Sequence, residues 1–123
     1  MRTIKFEYGF NSTNGIVKKV YHLHEIPFMH DKCDVWNILP IVYVRQFTGL
    51  TDKNGVDIFA GDIVELFGWS SQVDSDGTTE IIWDEDIIGW NFSITNYAED
   101  RYDFRKAISN CKVISNVYEP KDQ

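Results

Sequence analysis

The chain has 123 residues, a net charge of −7, 43% apolar side chains and 15% aromatic ones. That apolar content excludes wholesale disorder, and the length suits one domain or two small halves sharing a core. No apolar run approaches the roughly 18 residues of a membrane-spanning helix. Residues 1–53 carry seven Lys/Arg against five Asp/Glu, residues 54–100 carry eleven acidic groups and no basic one, and residues 101–123 carry five basic against three acidic. So acidic a middle cannot readily neutralise nucleic-acid phosphates, which makes nucleic acid an unlikely partner.

The opening MRTIKFEYGF contains Arg2 and Lys5 but no apolar stretch after them, so it does not read as a signal peptide and a cytoplasmic location is expected. Cys33 and Cys111 are then expected as free thiols. Within TIKFEYGF, Ile4, Phe6, Tyr8 and Phe10 alternate with polar residues, the period of a half-buried strand. NSTNG reads as a tight turn and IVKKVYHLHEI as the return strand. PFMHDKCD reads as irregular, with Pro27 ending the ladder.

IVYVRQF, after Pro40, is a third strand. DKNG has Asp52 first and Gly55 fourth, as a type I turn prefers, and a second reversal is expected at Ala60–Gly61 before a strand from Asp62 to Phe67. SSQVDSDGTT reads as a polar loop. TEIIWDED and GWNFSITNY read as two further strands. In AEDRYDFRKAI, Asn96 and Glu99 resemble a capping box, and Phe104 and Ile108 share a face, so one short helix is expected over about 98–109. CKVISNVY closes as a strand at 111–118. The predicted fold is mainly β: an N-terminal hairpin layer (residues 1–45) packs on an SH3-like small barrel with the short helix and closing strand (46–123).

Three blocks, MRTIKF, VRQFTGLTDKNGVDIFAGDIVEL and CKVISNVYEP, together resemble the YopX family of small phage and prophage proteins in order and spacing. Ala60 stands where that family usually has an acidic residue, and Ser115 where it usually has Gly. The resemblance implies a phage-linked, mostly β protein without an established activity, and it brings no catalytic residue to transfer.

Three constellations invite chemistry. His22, His24, His30 and Cys33 have zinc-ligand side chains, but their spacing matches no established zinc pattern, so no metal or other cofactor is expected. Asp84, Glu85 and Asp86, with Asp62 or Glu65, could serve a divalent-metal hydrolase. Adjacent residues of an extended chain point opposite ways, however, so a solvated hairpin tip is the better reading. Trp69, Trp83, Trp90 and Tyr97 could form a binding face. Trp83 and Trp90 alternate with core residues and read as buried, leaving Trp69, beside the polar loop, as the surface residue.

The expected function is therefore non-catalytic. Protein contacts are made by an acidic surface comprising Trp69, Asp74, Asp76, Asp84, Glu85 and Asp86, turned toward a basic host or phage protein, and the chain is expected to form a homo-oligomer. A nucleic-acid-binding barrel using Trp69 with Lys18, Lys19, Arg105 and Lys106 is the alternative, and a metal-dependent hydrolase the third reading.

Overall fold

The computed structural model describes residues 3–31, 34–67, 75–93 and 107–118. Among these residues eight antiparallel strands make two four-stranded sheets. β1 (Lys5–Ser12), β2 (Gly15–His22), β3 (Ile41–Thr51) and β4 (Asp57–Phe59) form the first, in the order β2-β1-β3-β4. β5 (Asp62–Phe67), β6 (Ser75–Asp84), β7 (Gly89–Phe92) and β8 (Cys111–Asn116) form the second, in the order β7-β6-β5-β8.

The buried apolar residues form two clusters. Phe10, Tyr21 and Met29 are buried in the first, under β1 and β2, with Tyr8, Val17, Ile26, Val35, Trp36 and Leu39 packed around them. The Trp36 ring lies 5.0 Å from Tyr8, 5.6 Å from Tyr21 and 6.2 Å from Phe10. The covering layer corrects two expectations: the return strand stops at His22, so that Leu23–Ile26, read as its end, join residues read as irregular in a 3-10 segment over Leu23–Asp31, and a short helix, α1, follows over Asp34–Ile38. Pro27 cannot donate to a ladder, but its fixed φ suits a helical turn. The Glu25 carboxylate accepts the His22 N–H at 2.8 Å, and Ile26 and Met29 then face the sheet.

The second core joins Ile58, Val64, Leu66, Ile81, Phe92, Ile108 and Cys111, with Leu50 packed against it. β3 runs from the first sheet to the second core, against which its Leu50 packs. Its first half pairs with β1, its end pairs with β4, and the expected division at 45/46 falls inside it. The two-sheet, mostly β architecture is the predicted fold class, and the strands from the end of β3 onward are consistent with a small barrel. The helix expected over about 98–109 lies outside the described residues up to 106, after which Ile108–Asn110 is a 3-10 turn. β6 begins at Ser75, so the end of the expected polar loop is strand.

The turns hold the sheets in place. The first hairpin reverses at Thr13–Asn14, with Gly15 opening β2. At the second reversal Gly61 has φ +86°, its N–H donates to Ile81 at 2.8 Å, and its carbonyl accepts from Val117 at 2.9 Å. An added Cβ there would sit 2.5 Å from the Tyr118 ring, so both conformation and space call for glycine.

In DKNG, the Gly55 N–H donates to the Asp52 carbonyl at 3.0 Å, closing the expected turn. The buried Asp52 side chain reaches further. Its Oδ1 accepts the N–H groups of Asn54 (2.8 Å) and Val56 (2.9 Å), and its Oδ2 accepts the Val113 N–H of β8 at 2.9 Å. With the Lys53 N–H on the Cys111 carbonyl at 3.0 Å, this covers part of the edge of β8. Burial pushes the Asp52 carboxyl up, but the N–H bonds from Val113, Val56 and Asn54 outweigh it and hold the group below its ordinary value.

A carboxyl with a depressed folded pKa contributes stability that is present above its unfolded value and is lost as pH falls through the folded one. Asp52→Asn should therefore destabilise the protein by about 1–3 kcal/mol at neutral pH. The gap to the native protein should shrink as pH drops below the ordinary value of 3.8. Urea midpoints of the two proteins across that range check both statements.

Candidate functional site

The first sheet's second face carries charge rather than an apolar core. The β1–β3 register sets Glu7 opposite Arg45, and both are buried. Arg45 Nε donates to Glu7 Oε2 at 2.9 Å, and Arg45 Nη1 to Asp62 Oδ1 at 2.5 Å. The Tyr43 hydroxyl donates to Glu7 Oε2 at 2.7 Å, and the Phe59 N–H to Asp62 Oδ2 at 2.8 Å. The Arg45 guanidinium also lies 5.2 Å from the centre of the Phe59 ring. Asp62 begins β5, so this network ties the first sheet to the second. Beside it Tyr43, packed on Gly9, stacks on Tyr118 with ring centres 4.7 Å apart.

Burial works against the Arg45 charge, but the hydrogen bond to Glu7 and the charge of Asp62 outweigh it and raise its pKa. Burial pushes the Asp62 carboxyl up, and the Phe59 N–H and Arg45 only partly oppose it. A cleft of about 880 Å³ opens above the network, walled by Val56, Asp57 and Phe59 on one side and Val113–Asn116 on the other.

The sequence did not single out Glu7 or Arg45. The available signal was Arg45 alternating with Tyr43 and Phe47 inside an otherwise apolar strand, which places a cation on a buried face. Asp62, entertained as part of a carboxylate cluster, is instead committed to Arg45 and the Phe59 amide.

Asp84 ends β6, and Glu85 and Asp86 lie in the turn to β7. Asp84 Oδ1 accepts the Asp86 N–H at 2.9 Å and Oδ2 accepts the Asn91 amide at 3.0 Å. Those bonds, the Asn91 amide foremost, hold its carboxyl below the ordinary value. The same tip exposes Ile87 (58%) and Ile88 (77%), and Ile88 sits at φ +53°, a strained conformation for a β-branched residue.

Trp83 corrects the expectation of burial: it is 48% exposed, while Ile81 on the same face is fully buried. Ile81 and Phe92 are the last buried pair; at the next pair toward the tip on that face Trp90 still packs against the core, while Trp83 lies edge-on to it at 5.2 Å and is open to solvent. Trp69, Asp74 and Tyr97 lie outside the described residues, as do Cys33, Arg105 and Lys106 and the side chains of Asp76 and His30. His22 and His24 are exposed with rings 5.7 Å apart, and among the described residues no three metal-binding side chains cluster. Cys111 is a free, buried thiol that donates to the Ile108 carbonyl at 3.1 Å. Burial, helped by the Asp52 charge, pushes its pKa up to about 11, so it is a poor nucleophile.

Residues 6–121 match a family model described as YopX protein. Among solved structures the chain is similar to protein EF1440 from Enterococcus faecalis, at 20% identity and a TM-score of 0.43, over 92% of this chain and 71% of that one. No curated protein matches.

Removing the cation from the network leaves two buried carboxylates facing each other. Arg45→Met should cost about 3–5 kcal/mol in urea unfolding, and adding Glu7→Gln should recover part of that loss.

Proposed function

Since the chain belongs to the YopX family, we propose that it is a non-catalytic phage or prophage accessory protein that works in the bacterial cytoplasm through protein contacts. The β6–β7 hairpin tip is the contact element. The observation that carries this reading is the tip itself: exposed Trp83, Ile87 and Ile88 beside the carboxylates of Asp84, Glu85 and Asp86. Apolar side chains supply the burial on which a contact depends, and neighbouring charge selects the partner. No cation among the described residues pairs with these carboxylates, and residues 54–100 contain no Lys or Arg. The partner is accordingly a basic protein segment with apolar residues between its cations.

The strain at Ile88 fits that role. A β-branched residue held at positive φ costs on the order of 1–3 kcal/mol, and a glycine would relieve it. An isoleucine held there gives the tip 77%-exposed apolar surface for a contact outside the chain. The exposed Trp83 ring could also stack on a base, yet three carboxylates beside it repel phosphates. Hydrolysis is disfavoured because Asp84 already accepts from the Asp86 N–H of the turn on one oxygen and from the Asn91 amide of β7 on the other.

Among the described residues no helix is long and apolar enough to cross a membrane. Self-association is part of the same proposal. Lys18 and Lys19 lie on β2 in the other sheet, so the tip of one copy can meet β2 of the next, head to tail. Light scattering should give a mass above 14.3 kDa at low salt, reduced as salt rises, and a monomer throughout would contradict self-association.

Ile88→Gly should raise the unfolding midpoint while weakening partner binding. The test is affinity capture from lysogenic bacterial cells with native and Ile87→Ser/Ile88→Ser bait. Basic proteins lost from the variant and released by salt support the proposal. Equal capture by the two baits, or a set of acidic, salt-resistant partners, contradicts it.

A further inference from the structure

The inter-sheet cleft stands apart from the hairpin tip and presents polar side-chain atoms that the fold leaves unused. At its floor Glu7 receives Tyr43 and Arg45 on Oε2 alone, and Arg45 donates through Nε and Nη1 but not Nη2. Among the described residues the one sealed side-chain polar atom lacking a partner is Trp90 Nε1. Glu7 Oε1 and Arg45 Nη2 are therefore not sealed, although their residues are only 7% and 6% exposed, and both residues line the cleft. On the walls Asp57 meets Lys5 through Oδ2 and leaves Oδ1 open, and among the described residues no hydrogen bond engages the hydroxyl of the exposed Thr78. The volume of about 880 Å³ lies within the range usual for small-molecule sites.

Charge narrows the occupant. Glu7, Asp57 and Asp62 line the cleft with Lys18 and Arg45, and Lys5 pairs with Asp57 at 2.7 Å, so three negative groups meet three positive ones. An anionic ligand would meet the acids, and a cationic one the bases. A wholly apolar ligand fares no better, because it would cover the open Glu7 and Arg45 atoms without pairing them. The occupant is therefore neutral and polar.

Hydrogen-bonding pattern narrows it again. A nucleobase is neutral and polar, but such ligands are gripped by stacking on an open ring. Phe59 lines the cleft, yet it is 6% exposed and already has the Arg45 guanidinium 5.2 Å from its ring centre. The open groups are instead two anionic acceptors, one cationic donor and one hydroxyl, spread over floor and walls. A ligand hydroxyl both donates and accepts, so several hydroxyls on one neutral ring can serve all four. The C–H surface of such a ring has Val56, Ile63 and Val113 to lie against.

We propose that the inter-sheet cleft is a carbohydrate site that takes a neutral sugar, whose hydroxyls donate to Glu7 and Asp57 and accept from Arg45.

The test is a glycan array carrying neutral, acidic and amino-sugar glycans, followed by isothermal titration calorimetry with the glycan bound best. Ser115→Trp and Thr78→Trp place bulk at exposed wall positions without touching the buried network. The expected result is binding of a neutral glycan. Its affinity should fall by about tenfold or more in both wall variants while their thermal midpoints stay unchanged. Ile87→Ser/Ile88→Ser should leave it intact. Failure of every glycan to bind the native protein above its signal on the Thr78→Trp protein overturns the inference. So does a best-bound glycan that is charged, or binding that either wall variant preserves, or binding that the tip variant abolishes. The tip and the cleft thus succeed or fail separately.

Discussion

Arg45 is held between Glu7 and Asp62, and the arrangement of the two sheets depends on it. A buried guanidinium is tolerable only when its charge is matched, and here one carboxylate comes from each sheet. The chain therefore cannot satisfy Arg45 without bringing β5 against the charged face of β1 and β3. The apolar residues form two clusters, one under β1 and β2 and another that joins Ile58 of β4 and Leu50 of β3 to the second sheet. Hydrophobic burial thus already spans the two sheets, and the polar seam fixes how β1 and β3 meet β5.

Two further contacts follow the same line. Tyr43 places its hydroxyl on Glu7 while its ring stacks on Tyr118, beyond the end of β8, and Asp52 reaches from the β3–β4 turn to the Val113 amide. Both cross from the first sheet or its β3–β4 turn to β8 or the residues just after it. The cleft is the space such a junction leaves, since two sheets joined along a seam do not close face to face. Its floor is polar for the reason that the seam is polar. The hairpin tip lies at the end of β6, past the last buried pair, where Ile87 and Ile88 are open to solvent beside three carboxylates.

What could be read from the sequence was local. The alternation in residues 62–67 gave a strand with the bounds the structure shows, and Asp52 with Gly55 marked a turn that closes as expected. These features depend on a few neighbouring residues. The Leu23–Asp31 segment escaped because its helical character comes from covering a sheet and not from a strong periodic pattern. Trp83 followed the alternation of its strand, but alternation says which face a residue takes and not where the core ends. Glu7, Arg45 and Asp62 are far apart in sequence, and only the β1–β3 register and the Gly61 turn bring them together. The Asp84–Asp86 tip was legible as a turn, whereas its exposed isoleucines and the φ of Ile88 were not.

Native-state amide hydrogen exchange at Phe10, in the first core, and Val64, in the second, tests most directly whether the Arg45 seam makes the two halves one cooperative unit. In the native protein the two amides should exchange with the same opening free energy, that of global unfolding. In Arg45→Met they should separate, with one half opening while the other stays protected. Unequal protection in the native protein, or equal protection persisting in the variant, would contradict the coupling assigned to Arg45.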